Sequence, residues 1–143
     1  MTIPELENLV RINQLKVEAG TQSEFDGLVR SGLARLEDVE RISGLSQESR
    51  FDLAYNAAHA LSLAALRWHG YRSENRYMVF QYLPHTLKLP ASQWRILDQA
   101  HRKRNLAEYE GDMDIEESLL AALIEITKEV AKRVQELGNV IGI

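Results

Sequence analysis

The sequence contains no cysteine. That excludes disulfides, thiolate metal sites and a cysteine nucleophile, and it suits a reducing compartment. Proline and glycine are scarce, at three and eight residues in 143, while 45% of the chain is hydrophobic and 27% charged. This balance belongs to globular rather than disordered or low-complexity chains, and the length fits one domain over 1–143. No apolar run approaches the roughly 20 residues that span a bilayer. The richest, Ala57 to Leu66, is broken by His59 and Ser62. The N-terminus lacks a basic segment followed by an apolar core, so it does not read as a signal peptide, and a soluble cytoplasmic protein is expected. A net charge of −4 removes a broad non-specific nucleic-acid surface but leaves room for a local basic site.

Familiar reactive motifs are missing as well. The chain has no glycine-rich phosphate loop, no H-E-x-x-H and no G-x-S-x-G. Its four histidines (59, 69, 85 and 101) never pair at i+3 or i+4, so a helix-borne metal pair is excluded. The acids from Glu108 to Glu117 lack calcium-loop spacing, and acids at a helix N-terminus are ordinary. No metal and no cofactor are expected.

Helical patterning is what the sequence does have. Thr2, Pro4 and Glu5 form a start signal, and Leu6, Leu9, Val10, Asn13 and Val17 follow a 3–4 spacing, which predicts a helix over 3–19. A second is predicted over 23–43 with Ser23 as its cap, and Gly27 and Gly32 imply a bend or a closely packed neighbour. Ser46–His69 reads as a central helix, apolar nearly all round and hence buried on several sides. Its polar residues Asp52, Asn56, His59 and Ser62 form one narrow stripe, a wet edge or the lining of a cleft. A fourth helix is predicted over about 73–87, kinked or ended by Pro84. Another runs from Pro90 to Gly111. The last starts at Asp114 and Glu117, with Ile115, Leu119, Leu123, Ile126, Val130, Val134 and Leu137 as the strongest periodicity in the chain. No stretch reads as a convincing strand. The expected fold is an all-α, antiparallel up-and-down bundle of five to six helices.

The helix ending at Gly111 carries the densest chemistry. Arg102-Lys103-Arg104-Asn105 leads through Leu106-Ala107-Glu108 to Tyr109-Glu110-Gly111, with His101 one turn before Arg104. Helical spacing puts His101, Arg104, Asn105, Glu108 and Tyr109 on one face. Arg104 offers a planar five-donor fork, Asn105 an amide and Tyr109 a phenol, a set suited to an anionic ligand such as phosphate. The plainer reading of the same residues is an Arg104–Glu108 surface ion pair and a buried Tyr109 ring.

The stretch resembles the HEPN domains, small helical bundles whose late helix carries Arg, a polar residue, a short spacer and His. Arg104 and Asn105 match the first two positions, and Tyr109 stands at the histidine position. The long alanine-rich helix running into Gly70-Tyr71-Arg72 is similar to the family's central helix, which would make about 46–138 the HEPN-like part. The resemblance implies a homodimer with both motif helices on a shared cleft, and a nucleotide- or RNA-binding module. It also implies regulation by a partner, often a nucleotidyltransferase in toxin–antitoxin or defence pairs. Many members are metal-independent ribonucleases, whose Arg and His serve the scissile phosphate and the ribose 2′-hydroxyl. Tyrosine titrates near 10 where histidine titrates near 6.5, so Tyr109 is a poor general base and points to low or no nuclease activity. His101, one turn before Arg104 on the same face, is placed to supply the missing imidazole, and His59 is a candidate neighbour of the site. An active ribonuclease and a purely structural helical protein stand as the alternatives. Trp68, Tyr71, Tyr77 and Tyr82 are expected to be exposed around the central turn, where they would suit a dimer interface.

Overall fold

A computed structural model describes residues 3–73, 75–111 and 115–140, and the side chains at 76, 77 and 108–110 lie outside that description. The fold is an all-α bundle. Its helices are α1 (Pro4–Arg11), α2 (Gln22–Arg41), α3 (Gln47–Trp68), α4 (Arg76–Gln81), the single turn α5 (Leu83–Thr86), α6 (Ala91–Glu110) and α7 (Glu117–Gln135). Two-residue strands β1 (Lys16–Val17) and β2 (Tyr71–Arg72) pair antiparallel, with Lys16 opposite Arg72 and Val17 opposite Tyr71. Among the described residues, no helix is long and apolar enough to cross a membrane.

The first helix is shorter than its spacing predicts. Asn13 takes the left-handed conformation (φ 61°), which asparagine tolerates better than most side chains. The Asn13 and Gln14 amides donate back to the Val10 and Leu9 carbonyls, which closes α1 and sends the chain away as a strand. Leu15 is buried instead of Val17, which is 65% exposed. Thr2, the expected cap, lies outside the described residues. In α2 the cap is Thr21 rather than Ser23, its hydroxyl accepting from the Glu24 amide at 3.1 Å. Thr21 is the last residue with extended backbone, so its side chain reaches the free amides of the first turn.

The central helix matches its expected limits. Ser46 caps α3 by accepting from the Ser49 amide at 3.1 Å, and His69 ends it before Gly70 (φ 86°). The helix predicted over 73–87 is divided at Tyr82, and Pro84 belongs to the first turn of α5 rather than to a kink. A proline there removes an amide that has no helical partner anyway. Pro90 and Gly111 bound α6 as read, with Gly111 left-handed at φ 73°. For α7 the N-cap is Glu116 without a side-chain cap bond, and Asp114 lies outside the described residues. Its buried face is Leu120, Leu123, Ile124, Thr127, Val130, Ala131 and Val134, so Leu119 and Ile126 sit on the flanks, half-buried.

α3 is the axis of the main core, packed most extensively along α2 and next along α7. Gly32 lets α2 approach: a Cβ there would lie 2.5 Å from the Leu61 Cγ of α3. The neighbouring helix, not a bend, explains that glycine. A second, smaller core of Leu6, Leu15, Leu66, Tyr71, Val79 and Tyr82 lies under α1 and β1. Tyr71 and Tyr82 are therefore buried, not exposed. Trp68 is half-buried, its indole donating to the Gly138 and Asn139 carbonyls. The Tyr77 side chain lies outside the described residues. Of the four aromatics expected around an exposed turn, none is shown to serve one. The N-terminal strap formed by α1 and β1 covers the two buried tyrosines, and Tyr71 donates to Glu7; burial and that carboxylate push its phenol up to about 12.

Candidate functional site

α6 has no glycine or proline between Ala91 and Glu110, so its i, i+3, i+4 geometry holds across the stretch singled out above. Asn105 lies one turn beyond His101, and its amide nitrogen is 3.1 Å from His101 Nε2. The other imidazole nitrogen, Nδ1, is 2.8 Å from the hydroxyl of Tyr55 on α3. Arg104 turns toward the same tyrosine, with Cζ 4.8 Å from the ring centroid, a cation–π geometry. Three of the four residues predicted from sequence thus come together. They do so around Tyr55, a residue of the helix that reads from sequence as apolar nearly all round.

Tyr55 is fully buried and held by other rings. Phe51, one turn earlier, stacks at 6.3 Å between centroids, and Phe80 of α4 meets its edge at 5.6 Å. Phe80 also packs edge-on against His101 at 6.4 Å and against His59 at 6.1 Å. His59 therefore joins the same aromatic cluster through Phe80. Each well-oriented ring pair is worth about 0.5–1.5 kcal/mol beyond area burial, so the cluster is a rigid floor for the α6 side chains.

The three consecutive cations diverge, because successive helical residues point about 100° apart. Arg102 is exposed and pairs back with Asp98 at 3.1 Å, while Arg104 is half-buried over Tyr55. Asn105 is exposed and marks the outward side of the site. The side chains of Glu108, Tyr109 and Glu110 lie outside the described residues, so the expected Arg104–Glu108 pair and the place of Tyr109 carry no geometry here. The polar stripe of α3 is not one uniform edge. Asp52 is exposed, Asn56 donates to the Asp52 carbonyl at 2.9 Å, His59 is half-buried and Ser62 lies in the core.

Two surface recesses lie elsewhere. One is between α6 and α7 beside Gln99, Glu116 and Ser118; the other is between α2 and α7 beside Lys128 and Lys132. Neither is lined by Tyr55, His101, Arg104 or Asn105. Among the described residues, no group of three His, Asp or Glu side chains is placed to hold a metal ion.

No family model, curated protein or solved structure matches this chain. The site is accordingly read on its own chemistry. It brings together a guanidinium placed over the ring of a buried tyrosine, an imidazole hydrogen-bonded at both nitrogens and an exposed carboxamide. Such a set can donate to an anion from the guanidinium and the amide.

Sequence reasoning missed Tyr55 because it lies among alanines in a helix that reads as core. One signal was present: a buried tyrosine needs a partner for its hydroxyl, and of the residues three or four positions away on α3 only Asp52 and His59 are polar.

Proposed function

We propose that this chain is a HEPN-like module that binds RNA or nucleotide phosphate, is regulated by a partner, and has low or no nuclease activity. The observation that carries the reading is Arg104 fixed on the Tyr55 ring beside Asn105 and His101. A guanidinium that is already oriented loses less conformational freedom on meeting a phosphate, and its fork matches two oxygens at once. The low-activity part rests on two features. Tyr109 stands where the resembled family has histidine. His101 has both nitrogens in hydrogen bonds, so it must give up the Asn105 contact before it can take a proton from a 2′-hydroxyl. A homodimer and a nucleotidyltransferase partner belong to the same proposal and rest on the family resemblance alone.

The test is fluorescence anisotropy with single-stranded RNA in EDTA, across a salt series. Wild type should bind modestly and lose affinity steadily with salt, as phosphate contacts do. Arg104→Ala should weaken binding by about 10–100-fold, the worth of a charge-assisted contact, and lower Tm by only about 2–4 °C. No salt-dependent binding by wild type would overturn the proposal. If wild type cleaves RNA in EDTA and His101→Ala stops it, the active-ribonuclease reading takes its place.

One observation favours the structural alternative: the Tyr55–His101 hydrogen bond bridges α3 and α6 across 46 residues of sequence. On that reading His101→Ala costs about 1–3 kcal/mol of stability through the stranded hydroxyl, and there is no ligand affinity to lose.

A further inference from the structure

We propose that Tyr55 is a positioning residue for this site: its hydroxyl holds His101 as the Nδ1–H tautomer, with Nε2 unprotonated and accepting from Asn105, while its ring aims Arg104. The inference deepens the RNA- or nucleotide-binding reading and rests on it for its functional consequence. An amide nitrogen has only hydrogens to offer, so the Asn105 nitrogen 3.1 Å from Nε2 requires a lone pair on Nε2. The neutral ring then carries its proton on Nδ1, which donates to the Tyr55 oxygen at 2.8 Å. A doubly protonated ring would set an N–H against an NH2, so it could form only after the Asn105 amide turned over.

The same phenol fixes the cation. Arg104 Cζ lies 4.8 Å from the Tyr55 centroid, and Phe51 and Phe80 hold the ring from other directions. A single buried side chain on α3 thus sets two of the polar groups that α6 presents. The unprotonated Nε2 and the Asn105 amide bonded to it stand together at the exposed end of this chain of contacts. A ligand oxygen that accepts from Asn105 draws the amide away and leaves Nε2 able to accept from a ligand hydroxyl. The chemical class this suits carries a phosphate beside a hydroxyl, as a ribonucleotide does.

The experiment is nitrogen-15 NMR of the histidine side chains in the full chain at neutral pH without ligand, with the His101 signals assigned against His101→Ala. Wild type should show His101 protonated on Nδ1. Tyr55→Phe, which keeps the ring, should shift the population toward the Nε2–H form and lower RNA affinity roughly threefold to tenfold, what one neutral hydrogen bond carries. A wild-type His101 protonated on Nε2 overturns the proposal, and so does a Tyr55→Phe tautomer identical to wild type. If the tautomer responds as expected but wild type binds no RNA, the positioning role stands and the binding function falls.

Discussion

His69 closes α3 and donates from Nε2 to the Thr86 carbonyl at 2.9 Å, tying the end of α3 to α5. Burial lowers its pKa below the ordinary value of 6.5, and the Thr86 hydrogen bond offsets only part of that. The sign of its effect on stability follows. Below about 6.5 the unfolded chain takes up a proton at this residue more readily than the folded one. Stability from His69 is therefore complete above that pH and declines as pH falls from there through the lower folded-state value. Thermal melts between pH 7.5 and 5 should show wild type losing Tm more steeply than His69→Gln, which keeps an N–H donor for Thr86. Parallel curves would show that the folded protein accepts the proton at no cost.

Gly27 and Gly32 have the same residue type on the same helix and opposite packing roles. A Cβ at Gly27 meets nothing within 4 Å, whereas one at Gly32 would collide with Leu61 and come within 3.2 Å of the Ala57 carbonyl. Glycine inside a helix costs about 0.5–1 kcal/mol relative to alanine. Gly27→Ala should therefore raise stability by about that amount in urea melts. Gly32→Ala should lower it by about 1–3 kcal/mol, because α2 and α3 must move apart to admit the methyl. Equal effects at the two positions would contradict the close α2–α3 approach. The sequence marks both glycines as unusual within a helix, but only the neighbouring helix separates them. The same limit applies to α7, where the 3–4 spacing located the helix and the packing of α3, α6 and α2 chose Leu120 and Ile124 over Leu119 and Ile126 for burial.

Across the whole molecule, Arg67 ties the N-terminal strap to the bundle. It is 4% exposed and donates to the backbone carbonyls of Glu18 (2.9 Å), Tyr71 (3.1 Å) and Ala19 (3.2 Å) while pairing with the Glu18 and Glu24 carboxylates. Gly20 rests on its backbone, where a Cβ would lie 2.6 Å from the Arg67 oxygen. Arg67→Met keeps the apolar stem but leaves three carbonyls without this donor. The two acids stay partly hydrated, so the loss should be about 2–4 kcal/mol, short of the largest values for a broken buried pair. Chemical denaturation measures that loss, and faster exchange of the Glu18 amide, now bonded to Gly70 O, would locate it in the strap. Unchanged stability would mean that the smaller apolar core holds the strap by itself.

Local sequence determined what depends on neighbours along the chain. The spans of α3 and α6, the Ser46 cap, the Gly111 stop and the cluster of His101, Arg104 and Asn105 on one face all follow from spacing and backbone chemistry within a few turns. Tertiary structure decided whatever depends on distant partners. It paired β1 with β2, covered Tyr71 and Tyr82 with the strap, and placed Tyr55 under Arg104 and His101. The physical reason is range. Periodicity and capping act over one or two helical turns, whereas the partner of a buried hydroxyl or guanidinium is chosen by the packing of helices about 45 residues apart in the chain.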